Sequence, residues 1–188
     1  LGKWVLQSAC RQFVAWRDAG IKLDRLAVNL SGVQLNKSPI IDTVSDVLAE
    51  TRMVPESLEL ELTETTVMGN VEAVIPVLQH LHDTGITIAI DDFGTGYSSL
   101  AYLKRLPVYK PKIARSFVSD VTTNEDDAAF AEAITSLATT LRLRVIAEGV
   151  ETEEQLCFLE QIGCHAAQGY YLSRPLPADA FTIWLADR

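Results

Sequence analysis

The chain alternates between two spacings of apolar residues. Short apolar runs predict strands, and in one of them, residues 58–62, Glu59 and Glu61 share one face while three leucines share the other. Longer segments repeat apolar residues at helical spacing. We predict strands at residues 26–30, 58–62, 86–91, 110–114, 144–148 and 164–168. We predict helices at residues 3–19, 39–52, 71–83, 98–105, 126–141, 153–162 and 178–186.

Several helix ends carry their own signals. Ser38 is the expected N-cap of the second helix, with Pro39 in its first helical position. Thr152 and Gln155 form the pattern of a capping box before the helix at residues 153–162. In the first helix, we expect Trp4 to belong to the apolar stripe that recurs at helical spacing.

One helix followed by six strand–helix units predicts a parallel sheet with helical crossovers. A (β/α)8 barrel has eight such units and typically runs to ~250 residues, whereas this chain has 188. The first helix lacks a strand of its own, so the shortfall lies at the N-terminus. We therefore predict an α/β fold, a TIM-like (β/α)8 barrel lacking about the first one and a half strand–helix units. Residues 1–188 would be one N-terminally truncated domain, and the missing initiator Met suggests a longer protein.

Composition narrows the classes of partner. The net charge of -9, from 16 basic and 25 acidic residues, argues against duplex nucleic acid, which needs a basic face. No apolar run approaches the ~20 residues of a membrane span, and no signal peptide is recognisable. The cysteines are odd in number and lack metal-type spacing, so we expect buried thiols in a reducing compartment at Cys10, Cys157 and Cys164.

Polar residues stand at the end of every predicted strand. In parallel barrels the chemistry lies at these carboxyl ends. One such residue could be chance, since strand ends are often polar, but a complete set points to a shared centre. The set is Asn29, Glu61, Asp91 with Asp92, Lys112, Glu148 and Gln168.

The donor atoms in this set are hard oxygens from four carboxylates and one amide. They suit Mg²⁺ or Mn²⁺ rather than Zn²⁺ or Cu²⁺. The adjacent Asp91 and Asp92 can serve two ions if the first carboxylate bridges them, and such a pair can clamp a phosphodiester. Lys112 would orient a metal-bound water or offset charge on the phosphate. The alternative is a counter-charge for the acids, and the two roles are compatible. Packing or surface roles suit the histidines better than ligation: His80, His82 and His165.

A short glycine loop follows the paired acids. Gly94, Thr95 and Gly96 lack the third glycine of a dinucleotide fingerprint and the Gly-Lys-Ser/Thr of a P-loop. A flexible loop that re-aims as substrate binds is the better functional account, and an ordinary turn is the alternative.

Six motifs in order carry a family resemblance along the whole chain. They are Asn29-Leu-Ser31, Glu61-Leu-Thr-Glu64, Asp91-Asp-Phe-Gly-Thr-Gly-Tyr-Ser-Ser-Leu100, Lys112-Ile113, Glu148-Gly-Val-Glu151 and Gln168-Gly-Tyr170. The chain resembles the EAL-type bacterial cyclic di-GMP phosphodiesterases. The resemblance implies a TIM-like barrel that hydrolyses cyclic di-GMP to linear pGpG with Mg²⁺ or Mn²⁺. Its implied metal ligands are Asn29, Glu61, Asp91, Asp92 and Glu148.

The resemblance also implies supporting roles. Lys112 would assist the nucleophilic water beside Glu148, and Gln168 would help to order the site. Glu64 would anchor the loop at residues 92–99, which in this family contributes to a homodimer, and Glu151 would be a supporting carboxylate. Family members are usually cytoplasmic modules beside sensor or diguanylate cyclase domains, some of them in membrane-anchored proteins.

Two departures from the family pattern keep alternatives open. The Glu-Ala-Leu segment, with its metal-ligating Glu, is absent, and Ala114 stands where the family usually has Asp. The leading hypothesis is the larger part of a phosphodiesterase domain. The alternatives are a degenerate receptor that binds cyclic di-GMP without cleaving it and a barrel that only binds proteins.

Overall fold

The structure, a computed structural model, describes residues 2–37, 39–96, 105–107 and 110–186. Its strands are β1 (Leu26–Asn29), β2 (Leu58–Thr63), β3 (Thr87–Phe93), β4 (Lys110–Ile113), β5 (Ile146–Glu148) and β6 (Ala166–Gln168). Its helices are α1 (Gly2–Asp18), α2 (Gly32–Lys37), α3 (Ile40–Thr51), α4 (Glu64–Met68), α5 (Val71–Asp83), α6 (Arg115–Val118), α7 (Glu125–Thr140), α8 (Glu153–Gln161) and α9 (Ala178–Ala186). A 3₁₀ turn, Pro55–Ser57, precedes β2.

The strands form one sheet in the order β1-β2-β3-β4-β5-β6. The pairs β1–β2, β3–β4, β4–β5 and β5–β6 are parallel. A sheet whose order follows the chain, with helices between the strands, is the arrangement of a TIM-like barrel. The predicted α/β class is therefore confirmed, and six strands of such a barrel are present.

Close contacts divide the chain into two compact units, of which the first comprises Leu1–Leu62, Glu72–Ile88 and Pro175–Arg188. In this unit α1 packs against α3. The stripe of α1 that is buried consists of Leu6, Cys10 and Phe13, spaced as one helix face requires. The indole N–H of Trp16 donates to Thr182 Oγ1 on α9 at 2.8 Å, so the last helix is tied to the first.

The second unit comprises Thr63–Val71 and Ala89–Arg174. Strands β4 and β5 contribute Ile113 and Ala147 to its core, both fully buried. The rings of Phe117 on α6 and Phe130 on α7 lie 4.1 Å apart between centroids. The capping box predicted for α8 is present in both halves, with the side chains of Thr152 and Gln155 each accepting from the other's backbone N–H.

Three expectations about individual residues were wrong. Trp4 is 65% exposed, because it lies two positions before Leu6 and so about half a turn away from the buried stripe. Pro39 is the N-cap of α3 and not its first helical residue, since its ψ of 69° is not helical. Cys157 is exposed, while Cys10 is buried as expected, and all three thiols are free.

Three of the described helices escaped prediction, and two predictions cannot be compared. Helix α4 begins at Glu64 and is capped by the Thr63 hydroxyl, but its threonines have low helix propensity. The other unpredicted helices are α2 and α6. The proposed cap Ser38 and most of the predicted helix at residues 98–105 lie outside the described residues. Among the described helices, none combines the length and hydrophobicity that crossing a bilayer requires.

Candidate active site

A bulge at the end of β3 shapes the paired acids. Between two pairing points with β4, β3 advances three residues, from Ile90 to Phe93, while β4 advances two. The extra residue falls at Asp91 and Asp92, and Asp92 takes a left-handed φ of 53°. Neighbouring side chains of a regular strand point to opposite faces, whereas a bulge re-aims one of them. Both carboxylates are thereby available to one centre.

Three carboxylates meet at this point. Asp91, Asp92 and Glu148 each offer a ligand oxygen, and these oxygens all lie within 4.8 Å of one another. Asp91 and Glu148 are half-buried and Asp92 is exposed. The carboxylate of Asp91 is also oriented by its own backbone, because its Oδ1 accepts the N–H of Asp92 at 2.9 Å. The group has the donor chemistry of a hard divalent cation.

Lys112 supplies the positive charge beside these acids. Strand β4 lies between β3 and β5, so its side chain reaches carboxylates on both neighbours. Its Nζ lies 3.6 Å from Asp91 Oδ1 and contacts Glu148 Oε1 directly. The Lys112 side chain is only 2% exposed, against 16% for each carboxylate. A buried ammonium is tolerable only when it is paired, so the two acids and the lysine stabilise one another.

Glu148 is the most constrained of the acids. The amide Nε2 of Gln168, on the neighbouring β6, donates to Glu148 Oε1 at 2.6 Å. Burial raises the pKa of Glu148 above its ordinary value of 4.5; Lys112 opposes the rise and Asp91 adds to it. The raised pKa reflects a carboxylate removed from water and placed beside another acid.

The glycine loop after β3 is held by Glu64. This carboxylate is fully buried, and its Oε2 accepts the backbone N–H of Gly94 at 2.8 Å. A Cβ on Gly96 would lie 3.0 Å from Glu64 Oε1, and one on Gly94 would lie 2.6 Å from the ring of Phe130. The Thr95 hydroxyl donates to Asp92 O at 2.8 Å. Gly94 is therefore required by close approach and by its φ of 96°, while Gly96 packs tightly against Glu64. The Thr95 hydrogen bond ties the loop to the bulge.

Glu151 does not join the carboxylate group. It is 43% exposed and accepts from Arg115 Nη2 at 2.6 Å. The stem of Arg115 lies against Gly149, which has a φ of 72° and where a Cβ would be 2.3 Å from Arg115 Cγ. The contact orders the loop that follows Glu148, so any support that Glu151 gives the site passes through Arg115 and the backbone.

Asn29 and Glu61 belong to the first unit, where they lie on neighbouring strands. They are opposite each other in the register of β1 and β2, and the N–H of Leu30 donates to Glu61 O at 2.8 Å. Glu61 is buried, at 7% exposure, and Asn29 is exposed. Two of the predicted ligands thus stand side by side at the carboxyl ends of neighbouring strands.

Two positioning features were absent from the sequence prediction of the site. The sequence pattern indicates only a helix-capping role for Gln155, although its side chain also reaches Ser119 O on the α6 side at 2.9 Å. No sequence pattern points to Arg115. Ala114, by contrast, is a departure visible in the sequence. It is buried at 2% exposure as the N-cap of α6, with no side-chain cap bond.

The family model of the EAL domain matches residues 1–175. The chain belongs to the EAL domain family. The curated relatives include the bifunctional diguanylate cyclase/cyclic di-GMP phosphodiesterase MucR of Pseudomonas aeruginosa, 46% identical over 179 residues that make up 95% of this chain and 26% of MucR. The cyclic di-GMP phosphodiesterase NbdA of the same species is 44% identical over 185 residues, 98% of this chain and 24% of NbdA. This EAL chain therefore spans about a quarter of the length of these relatives.

Solved EAL structures share the fold. The PaMucR phosphodiesterase in complex with c-di-GMP superposes with a TM-score of 0.93 at 46% identity, covering 96% of this chain and 73% of that one. The EAL domain of Mycobacterium smegmatis DcpA gives 0.92 at 40% identity, covering 100% and 84%. Klebsiella pneumoniae BlrP1 in a manganese/cy-diGMP complex gives 0.79 at 33% identity, covering 90% and 44%.

Proposed function

We propose that this EAL chain is the larger part of one domain that hydrolyses cyclic di-GMP to linear pGpG in bacterial second-messenger signalling. MucR, NbdA and BlrP1 support the substrate, since they are called cyclic di-GMP phosphodiesterases or were solved with this nucleotide. The observation that carries the proposal is the meeting of Asp91, Asp92 and Glu148, of which Asp91 and Glu148 contact the buried Lys112. A domain with only a structural task has no need for a buried cation among three acids.

The residues present fit a divalent cation. Asp91, Asp92 and Glu148 are all-oxygen donors within 4.8 Å of one another, the chemistry that Mg²⁺ and Mn²⁺ prefer. We propose two ions, held by these three carboxylates together with Asn29 and Glu61 of the matched motifs. When bound, the ions would polarise the phosphodiester and acidify the attacking water.

The protein's own groups prepare this chemistry. Lys112 holds Asp91 and Glu148 on either side of its ammonium and is proposed to orient the attacking water. Gln168 fixes the carboxylate of Glu148 through its amide. Preorganised charges of this kind cost no reorganisation when charge develops on the phosphate.

The glycine loop is the proposed substrate-binding element. Glu64 anchors it through Gly94, and Gly94, Thr95 and Gly96 would present backbone to the nucleotide. The loop follows shortly after Asp92, the proposed metal ligand. The Thr95–Asp92 hydrogen bond therefore couples the position of the loop to that of Asp92. In this family the same loop contributes to dimers, and we propose a homodimer for this protein as well.

The cellular setting is proposed by analogy with the relatives. MucR is described as a bifunctional diguanylate cyclase/phosphodiesterase, and DosP of Escherichia coli, 40% identical, as an oxygen sensor. Diguanylate cyclase or sensor domains are accordingly the expected covalent neighbours. We place the domain in the cytoplasm, where the nucleotide and reduced thiols would be found.

The test is hydrolysis by the full-length protein. With Mg²⁺ or Mn²⁺ added, cyclic di-GMP should disappear and linear pGpG should accumulate, as measured by chromatography. EDTA should stop the reaction, and an excess of metal should restore it. A full-length protein that is folded and loaded with metal but forms no pGpG would contradict the proposal.

The second candidate is a receptor that binds cyclic di-GMP without cleaving it. Ala114 favours this role, because the buried position next to the end of β4 carries a methyl group where the family usually has a carboxylate. Against it, Lys112 and the acids it pairs with remain in place. Calorimetry that shows tight nucleotide binding, with no pGpG in the same sample, would select the receptor.

A further inference from the structure

Gln155 makes more contacts than a helix cap requires. Its Oε1 accepts two backbone N–H groups, from Glu151 at 2.7 Å and Thr152 at 3.1 Å. Its Nε2 donates to Ser119 O at 2.9 Å. The residue is buried, with 5% exposure. A capping box needs only the acceptor oxygen, and Glu serves there as well as Gln. The amide N–H₂ therefore has a separate task.

That task links two segments that each follow a strand bearing an active-site residue. Ser119 is the C-cap of α6, the helix that begins two residues after the β4 strand of Lys112 ends. Glu151 and Thr152 end the loop that leaves β5 after Glu148. Both ends of the amide are thus used to hold the loop after Glu148 against the helix after Lys112. The Arg115–Glu151 ion pair spans the same gap on the exposed side.

The loop transmits this constraint back to the carboxylate group. The N–H of Val150, one residue before Glu151, donates to Gln168 O at 3.1 Å. The side chain of Gln168 in turn donates to Glu148 Oε1. Gly169 lets the two segments approach closely at this junction, because a Cβ there would lie 2.0 Å from Val150 O. A displacement of the loop would therefore move Gln168 and release Glu148 from its orientation.

We infer that Gln155 is a positioning residue that sets the geometry of Glu148 and Gln168 through the loop at residues 149–152. The inference rests on the proposed function only in taking Glu148 as a metal ligand. Outer partners that orient ligands typically contribute about 10–100-fold to metal affinity or activity.

The experiment titrates Mn²⁺ into the full-length protein and follows the free ion by electron paramagnetic resonance. Gln155→Glu keeps the cap acceptor but places a carboxylate oxygen against Ser119 O, and Gln155→Met removes both functions without adding charge. Gln161→Glu, at the exposed end of the same helix, is the control for charge. We expect both Gln155 variants to bind Mn²⁺ about 10-fold more weakly than the wild type. The control variant should bind Mn²⁺ with unchanged affinity. The added charge of Gln155→Glu would by itself strengthen cation binding, so weakening must come from geometry.

Turnover provides an independent readout. With cyclic di-GMP as substrate, kcat should fall in Gln155→Glu while KM stays near the wild-type value, because a carboxylate is displaced and the nucleotide contacts are not. A folded Gln155→Glu protein that binds Mn²⁺ as tightly as the wild type would overturn the inference. If the wild type binds Mn²⁺ without forming pGpG, the proposed function fails, while the Mn²⁺ titration still decides the role of Gln155.

Discussion

Lys112→Met is the substitution that most directly probes the charge balance of the site. Methionine keeps the length and apolar stem of lysine and removes only the ammonium. In the metal-free protein, Asp91 and Glu148 would then face each other without a counter-charge. Both are only 16% exposed, and Lys112 is 2% exposed, so water has little room to replace the lost partner. Asp91 and Glu148 should repel, and folding should become less favourable.

The size of the effect follows from this burial. Removing one partner of a buried ion pair costs about 3–5 kcal/mol, and we expect the lower end because the carboxylates keep some contact with water. In a chain of this length 1 kcal/mol corresponds to about 2–4 °C in Tm, so a loss of roughly 6–12 °C is expected. Differential scanning calorimetry of the full-length protein in EDTA would measure it, following the transition of the EAL domain. Lys22→Met, at an exposed lysine, is the control and should change Tm little.

The loss of thermal stability in Lys112→Met should depend on pH, in a direction set by the ionisation of Glu148. A carboxyl group whose pKa is raised on folding favours the folded state below its ordinary pKa, and that contribution disappears as the pH rises through the folded value. The pKa of Glu148 is raised mainly by burial, and Lys112 limits the rise. The Tm gap between the wild type and Lys112→Met should therefore be larger near pH 8 than near pH 5. Saturating Mn²⁺ should narrow the gap. A metal-free variant as stable as the wild type at both pH values would refute the reasoning.

Three further predictions concern the acids and the thiols. Asp91→Asn should abolish metal-dependent pGpG formation in the full-length protein. Its melting temperature in EDTA should stay unchanged or rise slightly, because Lys112 keeps Glu148 as its partner and the crowded carboxylates repel less; near-normal activity would mean that the centre lies elsewhere. Ala114→Asp should raise the rate of hydrolysis, since it restores an acid and can cap α6; an unchanged rate would show that the position is dispensable here. In native protein, a thiol reagent should label the exposed Cys157 within minutes and leave Cys10 unlabelled. Cys10 is buried, and burial raises its pKa to about 11. Peptide mass spectrometry measures the labelling, and fast labelling of Cys10 would show that α1 is not packed as described.

The sequence predicted the strands and their polar ends because both depend on local patterns. Alternation identified β2, and the apolar run before Asp91 identified β3. The bulge that makes both the Asp91 and the Asp92 carboxylates available to one centre was not predictable, because it exists only in the pairing of β3 with β4. The cap role of Gln155 was readable from its spacing to Thr152, but its contact with Ser119 spans 36 positions along the chain.

Errors arose where a pattern gives a periodicity without its phase. Helical spacing indicated that α1 is amphipathic, but it did not show that Leu6 and not Trp4 points inward. Which face of a helix is buried depends on the elements that pack against it, and that packing is part of the tertiary structure. Glu64 shows the opposite case: its role as loop anchor came only from the family resemblance, and its buried contact with Gly94 has the geometry that such an anchor needs.

The bulge has a consequence for recombination between related domains. The extra residue at Asp91 and Asp92 is defined against β4, where Pro111 and Ile113 supply the pairing points. A chimera that exchanges the Asp-Asp segment alone would inherit the acids but not the register that aims them. The smallest exchangeable piece of this site is therefore a strand pair, and crossover points should fall outside residues 87–113. The paired acids travel intact only when β4 and its lysine travel with them.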